Sequence, residues 1–455
     1  YLDEQVPRLM DRYRIPGVSM ALIHDGVLVW TGAYGYADLA KGKEMTTDAV
    51  CRTESISKSV TAWGIMRLVE QKRIDLDAPV EQYLGGWELP ETKYAEEAVT
   101  VRRLLSNSGG FPLGTVGPAA EYEPGSEMPS LRDYLEKEAT LVREPGSGFE
   151  YSNPGFNLLE LVVEEVTGLR FASYMVEEVL APLGMENASY VWKESFASKV
   201  PNGYEPDGTP VPPYVYPVSA SGGLLADTEA IARFAIAEMR GPYYTDHGVL
   251  TEESIEVIHT PVIDIPGMYG VVADSYGFGH FIEDLPDGRK AVWHGGQGHG
   301  WMTHFHTVPE AGEGIIILTN SQRSWPFLAL VLTDWAKWAG LGSVKFARIT
   351  AATNVLRIFI LIAVVASLWL IYRLVLGLYS GIRKFAPFSK TQRAPRIVLA
   401  AAGLGIIGLI IWRAAQPYLF ELSIFPAAVG WAAAAFITVG GVMIITALFP
   451  RTEAE

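Results

Sequence analysis

The sequence predicts an α+β layered domain over residues 1–345, built as one antiparallel sheet packed by helices, followed by a membrane domain over residues 346–455. Three observations carry this. Strand-patterned segments stand at both ends of the first part, helix-patterned segments broken by Pro/Gly loops lie between them, and three long apolar spans close the chain. The composition agrees, since 49% apolar and 11% aromatic residues over 455 positions supply a sizeable core and exclude a disordered chain. No internal repeat is visible.

Residues 3–13 form an amphipathic pattern that ends at Ile15-Pro16-Gly17, so the first element is a helix. Asp25-Gly26, set between the apolar runs 18–24 and 27–34, is the strongest short hairpin signal, and two antiparallel strands follow from it. From about 50 to 265, helical patches fall at 60–71, 100–107, 130–138, 154–167, 170–181, 227–239 and 251–258. The long loop 109–129 between them is placed at the rim of a pocket. Strand character returns at 276–283, 290–294, 301–308 and 314–319, with Asp287-Gly288 as a turn, before a helix over 325–339.

The spans, at about 353–379, 397–415 and 425–448, each approach the roughly 20 residues needed to cross a bilayer, with Trp and Tyr near their ends. The loop between the first two carries Arg383, Lys384, Lys390, Arg393 and Arg396, whereas the loop before the third carries Arg413 beside Glu421. By the positive-inside rule the first loop is cytoplasmic, which places residues 1–348 outside the bacterial cytoplasmic membrane and Glu455 inside. Gly403 and Gly405, or Gly440 and Gly441, offer small-residue contact points for pairing into a homodimer.

Net charge is −15, with nine Lys and Arg against three Glu from residue 349 onward, so residues 1–348 hold −21. Such an acidic ectodomain has no basic stripe to neutralise phosphates, and nucleic acid is excluded as a partner. A lone cysteine, Cys51, excludes an intramolecular disulfide and reads as a small buried residue rather than a nucleophile. The start, Tyr1-Leu2-Asp3-Glu4, is neither basic nor apolar, unlike a signal peptide.

The candidate chemistry gathers at Ser55 and Lys58, three residues apart at the start of a proline-free apolar helix and therefore neighbours on its surface. A serine hydroxyl is a poor nucleophile until its proton is removed, and a desolvated, uncharged lysine can remove it. The helix N-terminus adds N–H groups and partial positive charge where an oxyanion would form. Taken alone, the pair reads equally well as a capping serine and a solvated lysine. Two further pieces join it. Tyr151 and Asn153, just before the helical run at 154–167, supply a phenol that can shuttle a proton and an amide. His294 ends a strand and is followed by Gly295 and Gly296, which let a substrate backbone approach as an added strand.

His299, His304 and His306 cluster nearby, and the last two alternate on a strand so that they share a face. On a half-exposed strand and without further ligands at zinc spacing, they are assigned no metal. Glu54 and Glu150 flank the candidate positions, where surface or salt-bridged roles are favoured over binding a cationic substrate group.

Ser55-Ile56-Ser57-Lys58, Tyr151-Ser152-Asn153 and His294-Gly295-Gly296, in this order, resemble the three motifs of the serine β-lactamase and penicillin-binding-protein-like family, class C type. The stretches 101–112 and 219–227 are similar to supporting phrases of that family, and the likeness covers about residues 5–340. It implies a central antiparallel sheet with an all-helical lobe, the site lying between them. It further implies that Ser55 is acylated, that Lys58 and Tyr151 act as base and acid, and that Asn153 binds the substrate amide. The N–H groups of Ser55 and Gln297 would form the oxyanion hole, with no metal or cofactor. Many members carry lysine where His294 stands, and the His-Gly-Gly form is similar to that of D-aminopeptidases and esterase-like members.

A catalytic domain followed by three C-terminal spans resembles the membrane-anchored prodrug-activating D-amino-acid peptidases, of which the colibactin-maturation peptidase is one. That resemblance implies cleavage of an N-acyl-D-amino acid, such as N-acyl-D-asparagine, from an exported acyl-peptide at the lipid bilayer. The alternatives are a cell-wall D-peptidase, esterase or β-lactamase-like hydrolase, and a ligand sensor that signals through its spans.

Overall fold

The computed structural model describes residues 1–415, 424–426 and 428–451. Two compact units emerge, Tyr1–Arg348 and Ile349–Glu455.

The first unit opens with helix α1 (Leu2–Tyr13) and the hairpin β1 (Gly17–His24) and β2 (Val27–Asp38), edged by β3 (Lys43–Glu44). Asp25 and Gly26 take φ of 51° and 71°, the paired positive values that a two-residue hairpin turn requires. The middle of the chain contributes two-residue strands: β4 (Cys51–Arg52), β5 (Ala188–Ser189), β6 (Gly203–Tyr204), β7 (Pro210–Val211) and β8 (Leu225–Ala226). The later strands are β9 (Ile263–Asp264), β10 (Ser275–Tyr276), β11 (Phe281–Asp284), β12 (Lys290–Gly298), β13 (Trp301–Val308) and β14 (Glu313–Thr319).

Strands β1–β3 and β9–β14 form one nine-stranded antiparallel sheet in the order β3-β2-β1-β14-β13-β12-β11-β10-β9. The two ends of the domain thus meet in its middle, Val18 opposite Thr319 and Ile23 opposite Gly314. A separate small sheet, β4-β8-β5, lies beside the start of the next helix.

That helix is α2 (Ile56–Glu70), followed by α3 (Val101–Leu105), α4 (Leu131–Glu138), α5 (Asn153–Thr167) and α6 (Phe171–Met175), which runs on into a π-helical turn at Val176–Leu180. After β8 come α7 (Thr228–Ala237), α8 (Glu252–Ile258) and α9 (Trp325–Trp338). Twelve of the 15 residues of α2 are buried, which makes it a core helix rather than an amphipathic surface one. It packs on α5, α6 and α8 and against β12 and β13, so the helical lobe and the sheet share it.

Both faces of the sheet's centre are covered, which is why β1, β13 and β14 are apolar on both sides. On one face Phe305 meets Phe234 of α7, and Thr228 of α7 donates to Ser19 at 2.7 Å. On the other, His306 packs on Trp335 of α9 and His304 on Phe346. The expectation of a half-exposed strand at 301–308 is therefore corrected, since every residue of β13 is buried. Two further boundaries differ. The strand expected at 276–283 breaks into β10 and β11 at Gly277–Gly279, where a Cβ on Gly279 would lie 2.6 Å from the Lys58 carbonyl. The strand expected to end at 294 continues to Gly298, because β13 keeps pairing with it as far as Trp301.

The second unit holds the long helices α10 (Arg348–Tyr379), α11 (Arg393–Ala414) and α12 (Ala428–Leu448), each long and apolar enough to cross a membrane. A Cβ on Gly403 would lie 2.5 Å from the Gly440 carbonyl, so these two glycines are used in packing α11 on α12 within one chain. Gly405 and Gly441 face open space. Two arginines close the end of α12: Arg396, in the first turn of α11, donates to Ala447 O at 2.7 Å, and Arg383, in the loop between α10 and α11, donates to Phe449 O at 2.8 Å. Glu421 and Glu455 lie outside the described residues.

Candidate active site

β4 leads into a tight turn at Thr53-Glu54 before α2 begins at Ile56. Glu54 takes φ 51°, a conformation that costs a non-glycine residue about 1–3 kcal/mol and persists only where its surroundings hold it. They do. The buried Glu54 carboxylate accepts from Arg52 Nε at 2.8 Å, Tyr214 OH at 3.0 Å and Tyr216 OH at 2.9 Å. The Arg52 guanidinium lies over both tyrosine rings, 4.1 and 4.5 Å from their centroids. Ser57 ties the turn to β8 by donating to Glu54 O at 2.6 Å and accepting from Leu224 N at 3.0 Å. Ser55 occupies the N-cap position of α2, half-buried, and its side chain makes no capping bond.

Lys58 has no exposed surface. Its Nζ lies 3.2 Å from Ser55 Oγ, 2.8 Å from Asn153 Oδ1 and 2.8 Å from Ser221 O, three acceptors for three protons. Burial pushes its pKa down to about 7, against the opposing pull of Glu54. A solvated lysine beside a capping serine is thereby excluded. The same Nζ stands 4.8 Å from the Tyr151 ring centroid, and that ring stacks on Tyr269 and Phe281.

Helix α5 supplies much of the positioning. Its cap, Ser152, accepts from Gly155 N at 2.9 Å, which starts the helix at Asn153. Further along it, Asn157 accepts from Ser221 N at 3.1 Å, and Glu160 accepts from Ser219 N at 2.6 Å and Ala220 N at 2.8 Å. These bonds fix the loop whose Ser221 carbonyl meets Lys58. Burial pushes the Glu160 carboxyl up to about 7. Neither Asn157 nor Glu160 stands out in the sequence; the 219–227 phrase was the signal that pointed to their partner loop.

β12 closes the site. His294 is fully buried, with Nε2 3.1 Å from Tyr276 OH and Nδ1 2.8 Å from Gly295 O. A carbonyl only accepts, so Nδ1 carries the proton and Nε2 accepts from the tyrosine hydroxyl. Burial first, and the Lys58 charge second, hold the ring well below the usual histidine pKa, so it has no charge to offer a substrate carboxylate. A Cβ on Gly296 would lie 2.2 Å from both Thr53 O and Thr303 Oγ1, and one on Gly298 2.3 Å from Glu54 Cδ. These glycines let β12 seat directly on the turn that carries Ser55. Gly295 lies against His304, and the Gln297 side chain accepts from Trp325 Nε1 at 3.0 Å. β11 pairs with β12 only as far as Trp293, so among the described residues no strand pairs with 294–298 on that side.

Around this centre, His299 bridges Glu121 of the 109–129 loop at 2.9 Å and Glu205 at 2.8 Å. Hydrogen bonds to both carboxylates, Glu121 foremost, raise its pKa to about 9. Glu54 and Glu150 are paired with Arg52 and Arg143, and Cys51 is buried.

The family model described as Beta-lactamase matches residues 2–331. Among curated proteins, the unguisins hydrolase of Aspergillus campestris is 25% identical over 370 residues, covering 74% of this chain and 67% of its own length. Protein flp of Staphylococcus aureus is 22% identical over 323 residues, 70% of this chain and 62% of its own. Among solved structures, the octameric penicillin-binding protein homologue from Pyrococcus abyssi superposes with a TM-score of 0.63 at 26% identity, over 78% of this chain and 80% of that one. SurE superposes with a TM-score of 0.62 at 25% identity over 75% of each chain. EstCE1, a hydrolase with promiscuous acyltransferase activity, shares the fold with a TM-score of 0.59 at 20% identity, over 70% of this chain and 93% of that one.

Proposed function

The chain belongs to the beta-lactamase family, matched over residues 2–331, and we propose that within it the protein is a membrane-anchored serine peptidase. Its substrate in this proposal is an exported acyl-peptide, cleaved after an N-acyl-D-amino-acid unit such as N-acyl-D-asparagine. One observation carries the enzymatic part: a buried amine 3.2 Å from the Ser55 hydroxyl.

Neutral Lys58 takes the Ser55 proton as Oγ attacks the scissile carbonyl. The N–H groups of Ser55 and Gln297 receive the oxyanion. The proton passes by way of Tyr151 to the leaving amine, the C–N bond breaks, and the acyl group stays on Ser55. Water then attacks the ester, giving its proton to the same pair, the acyl C–O bond to Ser55 breaks as that proton returns to Oγ, and the free acid leaves. Asn153 accepts from Lys58 through Oδ1, which leaves its NH₂ for a substrate carbonyl.

The helices α10, α11 and α12 support the anchoring part, and the basic loop between α10 and α11 supports an orientation with the catalytic unit outside a bacterial cytoplasmic membrane. Full-length protein in detergent, incubated with N-acyl-D-asparaginyl peptides and their L-counterparts, tests the proposal. Cleavage of the D-form alone is expected; cleavage of neither, or preference for L, removes it.

The neutral His294 favours a second possibility, an esterase-like hydrolase acting on substrates without a carboxylate at that position, over β-lactam turnover or a cell-wall D-peptidase. Release of D-alanine from muropeptides without action on acyl-peptides would favour the cell-wall role instead.

A further inference from the structure

Away from Ser55, three elements end at one buried point. Glu238 follows α7, His259 follows α8, and His280 precedes β11. Their side chains are 0%, 3% and 0% exposed, and one ligand atom from each lies within 4.8 Å of the other two. His280 Nε2 is 2.6 Å and His259 Nε2 3.7 Å from Glu238 Oε1.

The 2.6 Å approach is close enough for a charge-assisted pair, yet neither approach meets hydrogen-bond geometry. Both Glu238 oxygens, both His259 nitrogens and His280 Nε2 lack a hydrogen-bond partner among the described residues. His280 Nδ1, by contrast, is 2.8 Å from Phe278 O. A carbonyl only accepts, so the neutral ring carries its proton on Nδ1 and turns the Nε2 lone pair toward the carboxylate. Two lone pairs at that separation repel unless a proton or a metal ion stands between them.

We propose that Glu238, His259 and His280 form a binding site for a divalent transition metal of the zinc class. One carboxylate and two imidazoles are a zinc donor set that leaves the fourth tetrahedral position to a water. An Nδ1–H held by a backbone carbonyl is the usual support of a metal-bound histidine. Ligands at about 2.1 Å in a tetrahedron stand about 3.4 Å apart, between the two separations seen, so side-chain shifts of under about 1 Å admit the ion.

The ion acts structurally, joining the ends of α7 and α8 to the start of β11. It also backs the catalytic helix, because Gly279, next to His280, accepts from Ser59 Oγ at 2.6 Å and donates to Leu105 O at 2.9 Å. No sequence spacing signals it, since the three ligands come from separate elements 21 residues apart at each step.

The test uses full-length protein purified in detergent without chelator. Elemental mass spectrometry is expected to find about one zinc per chain, and adding zinc chloride after chelation to raise the melting temperature by about 5 °C or more. Cobalt substitution is expected to give the visible absorption of a tetrahedral Co(II) site, lost in His259→Gln and Glu238→Gln. If those variants fail to fold, the metal content and cobalt spectrum of the unmodified chain decide alone. Less than about 0.1 metal per chain with no thermal response to zinc, or full metal retention in folded His259→Gln, overturns the site and leaves a buried imidazolium–carboxylate pair.

Discussion

An amine packed dry against a hydroxyl is useful to catalysis and unfavourable to the fold, and Lys58 exposes both sides of that conflict. Its pKa falls from 10.5 toward about 7 on folding, so the unfolded chain binds the extra proton between those values. The penalty is fully present below about 7 and disappears as pH rises toward the ordinary lysine range. Lys58→Met should therefore melt a few degrees higher than the parent at pH 7, and the gap should close by about pH 10, as differential scanning calorimetry can follow. The same substitution should lower kcat/KM by about 10³-fold or more, as should Ser55→Ala and Tyr151→Phe with folding intact. In the parent, kcat/KM should rise through an apparent pKa near 7 and level off above it. Ser55 and Lys58 were legible in the sequence as a pair; the depth of burial that lowers the lysine's pKa was not, since the groups around its amine include Asn153 and Ser221, about 95 and 163 positions away.

Among elements, the Thr53-Glu54 turn and β12 form a single fitted part. Gly296→Ala places a methyl against backbone and the Thr303 side chain, both fixed, so β12 must move off the turn. We expect a loss of about 1–3 kcal/mol in urea unfolding together with at least about a 10²-fold fall in kcat, because a displacement near 1 Å spoils the reacting geometry. Unchanged kcat in a destabilised variant would mean that the glycine serves only packing. The hairpin at Asp25-Gly26 and the helices α1, α5 and α9 were readable from local pattern, since turn chemistry and periodicity act over a few residues. β4, β5 and β8 were not, because two residues carry no period and only tertiary pairing defines them. The burial of β13 also escaped local reading, since His304 and His306 are polar by type yet packed among Trp293, Trp335 and Phe346.

For the molecule as a whole, the order of the three motifs and the change from an acidic to a basic, apolar chain were both written openly in the sequence. Which small residues the spans use was not, because Gly403 and Gly440 answer to each other only once α11 and α12 are packed. Orientation can be tested cleanly, because Cys51 is buried and burial pushes its thiol up to about 12. A cysteine placed by Glu88→Cys should react with an impermeant maleimide on spheroplasts, and one placed by Lys390→Cys only after permeabilisation; the reverse pattern would invert the topology. Acylation of Ser55 is the step on which the proposed chemistry turns. Full-length protein treated with a serine-directed fluorophosphonate, digested and mapped by mass spectrometry, should carry the adduct on Ser55, at a rate that climbs through pH 7 and collapses in Lys58→Met. An unmodified Ser55, or labelling as fast without the lysine as with it, would mean that Ser55 is not a nucleophile activated by Lys58.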